Sequence, residues 1–274
     1  MHPDAYPPQE PFSPLARRYH DTVMAKGAGL APDHEASFGA DPYQTLAVHR
    51  AAKPSGDVLI LWHGGGWTNG YKEWLAFMAP ALNAAGVTVV LAGYRLAPAH
   101  VFPAALDDAM AAMAWVHARI AGHGGRADRI FVGGHSAGGH YAALLAVRSD
   151  WQAARGLPAD VVRGCLPISG VYRFDECSGL AVRPRFLGPE GNEAPASPIL
   201  AIHGAPAPFL MVHGDCDFPH LITQAAEMEG ALRAAGGDVT RVTLDGCDHF
   251  EASYVSGDAA GPWVPRAVAW MGRH

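Results

Sequence analysis

A succession of short apolar runs, each followed by a turn and then by a stretch of helical periodicity, limits this chain more than any other feature. The runs are Val58–Trp62, Val87–Leu91, Ile130–Val132, Val161–Ile168, Phe209–Val212 and Val239–Leu244. Their length and β-branched content mark them as strands buried on both faces. Helices are expected between them. One covers 73–85 and ends near Gly86. A second opens at Pro103, carries Leu106, Met110, Met113, Val116 and Ile120 at helical spacing, and closes at Gly122. Others cover 137–148, 220–235 and 262–272. Strands that alternate with helices imply parallel crossovers and a sheet covered on both sides. The fold class is therefore α/β, in a single domain over 1–274.

Two regions lie outside this rhythm. Residues 1–40 are proline-rich, with a helix expected from Pro14 to Lys26 that puts Leu15, Tyr19, Thr22 and Val23 on one face. They form an arm or cap. Residues 45–50 alternate weakly, like an edge strand. Residues 172–205 are rich in Pro and Gly and read as a small cap-like insertion over the sheet.

Composition excludes several classes. At 274 residues and 49% hydrophobic, the chain can fill a large core. A net charge of −6 with no Lys/Arg cluster argues against nucleic acid or an anionic membrane as partner. No apolar run approaches a membrane span. The first residues lack the basic and apolar regions of a signal peptide, so a soluble, cytoplasmic protein is expected. Cys165, Cys177, Cys216 and Cys247 make no C-x-x-C pair, and free thiols are expected. The sequence sets no oligomeric state; a homodimer is compatible with it.

Three motifs carry chemistry. Gly134-His135-Ser136-Ala137-Gly138 fits G-x-S-x-G between a strand and a helix. A turn that tight strains the central Ser and presents its hydroxyl, while the following helix aims N–H groups at any anion formed there. A Gly-rich turn with a capping Ser is the plain alternative. His63-Gly64-Gly65-Gly66-Trp67 directly follows a strand. Its glycines let the main chain approach a substrate, and the N–H groups of Gly65, Gly66 and Ala137 are the expected oxyanion donors, with Gly64 a substitute for one of them.

The third motif is split between two loops. After the Phe209–Val212 run comes His213-Gly214-Asp215-Cys216-Asp217, and after Val239–Leu244 comes Asp245-Gly246-Cys247-Asp248-His249-Phe250. The order Ser, then carboxylate, then His suits a hydroxyl activated by an imidazole that a carboxylate orients. His249 is the expected base. Asp215 and Asp217 are both candidates for the acid, while Asp245 and Asp248 shape the turn. Cys216 and Cys247 should be neighbours in space. His63, His135, His140 and His213 could suggest a metal site, but no ligand pattern such as H-E-x-x-H exists, so no metal or other cofactor is expected. His63 is expected to brace the glycine loop and His213 to pack near the acid turn.

The stretch from Leu61 to Arg148 resembles the hormone-sensitive-lipase-like esterases and the kynurenine formamidases, both of the α/β-hydrolase superfamily. His63-Gly64-Gly65-Gly66-Trp67 is similar to the H-G-G-G of the first group and the H-G-G-x-W of the second. Tyr94-Arg95-Leu96-Ala97-Pro98-Ala99 and Phe102-Pro103-Ala104-Ala105 resemble a block of the esterases. The C-terminal half leans toward the formamidases, whose acid segment reads D-x-x-x-F-x-x-Q-S. Asp217 is followed by Gln224 at that spacing, although the Phe is displaced and Ala225 replaces the Ser. This favours Asp217 over Asp215. Asp248-His249-Phe250 resembles the formamidases' N/D-H-F, and the esterases' D-P-L-x-D-E is absent.

The resemblance implies an α/β-hydrolase fold with about eight strands. It also implies a catalytic set of Ser136, Asp217 and His249, and a small carboxylic ester or aryl formamide as substrate. Gly66, where formamidases often carry a bulky residue, leaves space and favours a general esterase. His135 and Trp67 are expected to touch substrate. Trp67, Trp74, Phe174 and Phe186 are candidate apolar walls. The alternative is a non-catalytic small-molecule binding protein on the same scaffold. Such proteins usually lose a member of the catalytic set, and here all are present.

Overall fold

The apolar runs align into one eight-stranded sheet, in the order β1-β2-β4-β3-β5-β6-β7-β8. The computed structural model describes residues 5–174 and 185–274. The strands are β1 (His34–Ser37), β2 (Thr45–His49), β3 (Val58–Trp62), β4 (Thr88–Ala92), β5 (Ile130–His135), β6 (Gly164–Ile168), β7 (Phe209–Gly214) and β8 (Val239–Leu244). From β4 to β8 all pairs are parallel; β1–β2 and β2–β4 are antiparallel.

The helices are α1 (Pro14–Lys26), α2 (Ala79–Ala84), α3 (Ala104–Arg119), α4 (Ala137–Val147), α5 (Glu193–Ala196), α6 (Pro219–Ala234), α7 (His249–Ser256) and α8 (Trp263–Met271). Alternation along β3 divides the core. Val58, Ile60 and Trp62 pack with side chains of α3, α4 and α6 on one face. Leu59 and Leu61 pack with α1, α2 and α8 on the other. All five β3 residues are buried, so each large apolar side chain contributes about 1.5–3 kcal/mol of transfer free energy.

The structure corrects several expectations. Residues 45–49 are not an edge. They are wholly buried and paired on both sides, because β1 adds itself outside them. The His-Glu-Ala-Ser sequence of β1 carries no apolar pattern, since it is mostly exposed. The helix expected over 73–85 is a 3-10 segment, Lys72–Met78, followed by α2. Pro80 has no N–H to continue an α-ladder through that point and starts a new helix instead. The strand expected from Val161 begins at Gly164. The third strand runs on through Gly133, Gly134 and His135, reaching the motif serine without an intervening loop.

Helix α7 was not anticipated. Its N-cap is Asp248, whose carboxylate accepts the Phe250 and Glu251 N–H groups, and Glu251 returns a bond to the Asp248 N–H. This capping box starts the helix on His249 itself. Of the expected insertion, 175–184 lies outside the described residues. The rest holds α5 and a 3-10 turn, Pro198–Leu200.

Candidate active site

Four loops meet at the carboxyl edge of the parallel strands: those after β3, β5, β7 and β8. That edge is where open parallel sheets place ligands. Ser136 stands at the tip of β5 with φ 53° and ψ −116°, a conformation costing about 1–3 kcal/mol. Its N–H is held by the Ile168 carbonyl at 2.9 Å. The flanking glycines are required sterically. A Cβ at Gly134 would lie 2.4 Å from the Trp62 carbonyl oxygen, and one at Gly138 would lie 1.9 Å from it. The turn therefore presses the start of α4 against the end of β3, leaving no room for side chains.

The glycine loop comes from β3. Gly65 adopts φ +115° and Gly66 φ +61°. A Cβ on Gly65 would strike the Asn69 carbonyl oxygen at 2.0 Å, and one on Gly64 would sit 3.2 Å from the Ser136 Cβ. His63 braces this loop: its Nδ1–H donates to the Gly64 carbonyl at 2.7 Å, and its ring stacks on Tyr94 at 4.3 Å. Ala137 is the first residue of α4, so its N–H has no partner within the helix.

Asp217 and His249 meet between the last two loops. His249 Nδ1 lies 2.8 Å from Asp217 Oδ1. A carboxylate only accepts, so Nδ1 carries the proton and Nε2 is left as the acceptor. The same Oδ1 takes the Phe218 N–H at 2.7 Å, and Oδ2 takes the Ser169 hydroxyl at 2.5 Å. Burial works to raise the Asp217 carboxyl, but these hydrogen bonds and the neighbouring imidazole hold it below the usual carboxylate range. Asp215, by contrast, is exposed, and its carboxyl is held low chiefly by the Gly246 N–H. Sequence reasoning missed Ser169, which lies just beyond β6 with φ 51°. No motif marks it.

Known proteins give the same reading of the fold. An α/β-hydrolase-fold family model matches residues 59–185. The chain superposes on an esterase from Pyrobaculum calidifontis with a TM-score of 0.75 at 22% identity, over 96% of this chain and 99% of that one. The chain has the α/β-hydrolase fold. Among curated proteins, it is 31% identical to the esterase LipQ of Mycobacterium tuberculosis over 65% of this chain and 46% of the relative. It is 32% identical to esterase LipC of the same organism, over 77% of this chain and 58% of the relative. The chain thus spans about half the length of the curated relatives it matches.

Ser136, His249, Gly65 and Gly66 border one cavity of about 230 Å³. Its other walls are mainly Leu15, Tyr19, Trp74, Phe218 and Phe250, with His135, and among the described residues no Asp, Glu, Lys or Arg lines it. A second cavity of about 520 Å³ shares Gly65 and Gly66 and is walled by Trp67, Asn69, Phe186 and Arg185. A depression of about 700 Å³ lies at the opposite end of the strands. Two of its arginines are already paired, Arg126 with Asp128 and Arg129 with Asp57.

The expected walls are therefore divided. Trp74 borders the serine cavity, Trp67 and Phe186 the second one, and Phe174 is core, packed on Trp67 and His140. Trp67 stacks on Phe186 at 4.3 Å and donates its indole N–H to His140. The aromatic residues just after Asp217 and His249, Phe218 and Phe250, are not among the expected walls. Phe218 is 40% exposed with its ring 4.8 Å from that of His249. A large apolar residue adjoining each catalytic candidate was the available signal.

His140, His213, Cys216 and Cys247 have local partners, while Cys177 lies outside the described residues. His140 donates to the Ala196 carbonyl and accepts from Trp67, so both ring nitrogens are used. His213 donates to the Gly214 carbonyl and faces Arg241. No group of three or more His, Cys, Asp or Glu able to hold a metal occurs among the described residues. Cys216 donates its N–H to the Cys247 carbonyl at 3.0 Å, which makes the two neighbours, and both thiols are free. Gln224 makes no bond to Asp217 among the described residues: it clamps the chain after β6 by bonds to Tyr172 and Arg173. Among the described residues no helix is long and apolar enough to cross a membrane.

Proposed function

We propose that this chain is a serine hydrolase that cleaves small carboxylic esters through an acyl-enzyme on Ser136. The observation that carries the reading is the 2.8 Å bond from His249 Nδ1 to Asp217 Oδ1, with His249 bordering the same cavity as Ser136 and the glycine loop. In the first half-reaction Ser136 Oγ attacks the ester carbonyl and His249 Nε2 takes the hydroxyl proton. Asp217 stabilises the imidazolium that results. The N–H groups of Gly65, Gly66 and Ala137 receive the oxyanion, a term worth several kcal/mol. Collapse expels the alcohol, which leaves with the proton from His249. Water, deprotonated by the same nitrogen, then attacks the acyl-enzyme and releases the acid.

The cavity chemistry supports an uncharged, apolar acyl or aryl group beside Ser136, because burying a charge there would find no counter-ion. Trp67 and Arg185 border the roomier second cavity, which suits the other half of the ester. Part of the aryl formamide reading rests on the spacing of Asp217 and Gln224, and Gln224 binds the backbone of Tyr172 and Arg173. N-formylkynurenine would also bring a charged amino-acid group.

The test is a substrate panel: p-nitrophenyl esters of increasing acyl length alongside N-formylkynurenine, with wild type and Ser136→Ala. Ester turnover lost in Ser136→Ala is the expected result. Faster turnover of N-formylkynurenine than of every ester would replace the ester reading by the formamide one. No turnover and no labelling by a fluorophosphonate would leave a binding protein on a hydrolase scaffold.

A further inference from the structure

Helix α1 reaches the catalytic base through two side chains that this mechanism has not used. Tyr19 lies midway along α1 and is only 3% exposed. Its hydroxyl is 2.9 Å from Ser253 Oγ and 3.5 Å from His135 Nδ1. Ser253 stands one turn beyond His249 in α7. On its other side, His135 Nε2 lies 2.9 Å from the backbone carbonyl oxygen of His249.

The proton positions follow from the partners. A carbonyl only accepts, so His135 Nε2 bears the hydrogen. Burial lowers the His135 pKa to about 3, so the ring is neutral near pH 7 and Nδ1 is an acceptor. The hydroxyl facing that nitrogen is Tyr19, and Ser253 can donate into the Tyr19 oxygen. One directed chain results: Ser253 to Tyr19, Tyr19 to His135, His135 to the His249 carbonyl. The Tyr19–His135 link is the longest, at 3.5 Å.

We propose that Tyr19 and His135 are positioning residues, through which the amino-terminal helix fixes the backbone that carries the catalytic imidazole. The inference rests on the assignment of His249 as base. Among the described residues the His249 ring has one side-chain hydrogen bond, to Asp217, which orients it but leaves its distance from Ser136 to the backbone. The relay grips that backbone at both ends of the first turn of α7: at the His249 carbonyl and at Ser253. Its tolerance is small, because a catalytic group about 0.5 Å out of place loses much of its effect. The relay also makes His135 a part of the support structure, although it borders the cavity. A substrate contact would instead leave the position of the base unaffected.

The test uses the full chain with His135→Leu, His135→Gln and Tyr19→Phe, measured for kcat and KM on one p-nitrophenyl ester, with Ser136→Ala in parallel. Outer hydrogen-bond partners of metal-site histidines are typically worth about 10–100-fold, and His135→Leu should lower kcat by a similar factor with KM nearly unchanged. His135→Gln places an amide N–H near the same carbonyl and should recover most of that loss. Tyr19→Phe removes one neutral hydrogen bond and should cost about fivefold in kcat.

Unchanged kcat in Tyr19→Phe and His135→Gln alongside unchanged kcat in His135→Leu would overturn the relay. So would a rise in KM at constant kcat, which marks a substrate contact. Should His135→Leu fail to fold, the comparison of Tyr19→Phe and His135→Gln with wild type decides. Activity surviving in Ser136→Ala would remove the catalytic reading and the relay together. Loss there, with the relay variants unaffected, would remove the relay alone.

Discussion

Ser169 Oγ lies 2.5 Å from Asp217 Oδ2, on the carboxylate oxygen that His249 does not use. With Phe218 N–H and His249 on Oδ1, it fixes the plane of the carboxylate and keeps it ionised. Hydrogen bonds to charged groups contribute about 1.5–3 kcal/mol each. Ser169→Ala should therefore lower stability by about that amount near pH 7. The sign with pH follows from the depressed carboxyl of Asp217. Stability from such a group is complete above its unfolded value of about 3.9 and is lost as pH falls through the lower folded value. Urea denaturation of both proteins at pH 7 and below pH 4 checks this: the deficit of the variant should shrink in acid. An equal deficit at both pH values would assign it to packing instead.

The buried histidines add a second pH dependence. Burial lowers the pKa of His63 and His140 to about 4 and that of His135 to about 3. In the unfolded chain each returns to about 6.5. Between those values the unfolded state binds the additional protons, so stability falls as pH falls. Each group contributes a slope of about 1.4 kcal/mol per pH unit, and the three together about 4 kcal/mol per unit between pH 6 and pH 4.5. A urea midpoint that is constant across this window would show that these imidazoles are solvated in the folded protein.

Gly65 and Gly66, the proposed oxyanion donors, should respond differently to an added methyl group. In Gly65→Ala the Cβ would meet the Asn69 carbonyl oxygen at 2.0 Å, so the loop must move and activity should fall by at least about 10²-fold, the cost of one lost donor. In Gly66→Ala nothing lies within 4 Å of the new Cβ, and the cost is the φ of +61° alone, about 1 kcal/mol. Thermal melts and kcat on both variants separate the cases. Gly65→Ala with wild-type kcat would move the oxyanion site elsewhere.

Much of this was legible in the sequence because the chemistry needs rare local patterns. Gly134, Gly138 and Gly65 stand where a Cβ collides with backbone, so the constraint is written into the residues themselves. Strands β3 and β4 are buried on both faces, which turns each into an unbroken apolar run. What escaped notice depends on tertiary contact. Strand β1 is specified by pairing with Val48 and its neighbours rather than by its own residues. Ser169 is one serine at a strand end until Asp217 is brought beside it. Asp217 was chosen over Asp215 by a spacing to Gln224 that the structure assigns to another task, whereas burial and the bond to His249 distinguish the two directly. The sequence marks Tyr19 only as a face-sharing residue of α1, since its partners lie 116 and 234 positions away.

The serine cavity gives the last prediction. Leu15, in the first turn of α1, is 43% exposed yet borders the cavity together with Phe218 and Trp74. Its side chain leaves the core undisturbed, so a larger residue there should act on the cavity and not on folding. Leu15→Trp should shorten the acyl chain the site accepts: kcat/KM for a p-nitrophenyl acetate should stay near wild type while that for a hexanoate falls. One methylene is worth about 10–200-fold in a closed hydrophobic pocket, and the partial exposure of Leu15 places the expected ratio at the lower end, about tenfold. Phe218→Ala should act in the opposite sense, widening the entrance beside His249, because the Phe218 N–H that serves Asp217 remains in the backbone. A chain-length profile unchanged in both variants would mean that the acyl group lies instead in the larger cavity beside Trp67 and Arg185, and the assignment of the two halves of the ester would be reversed.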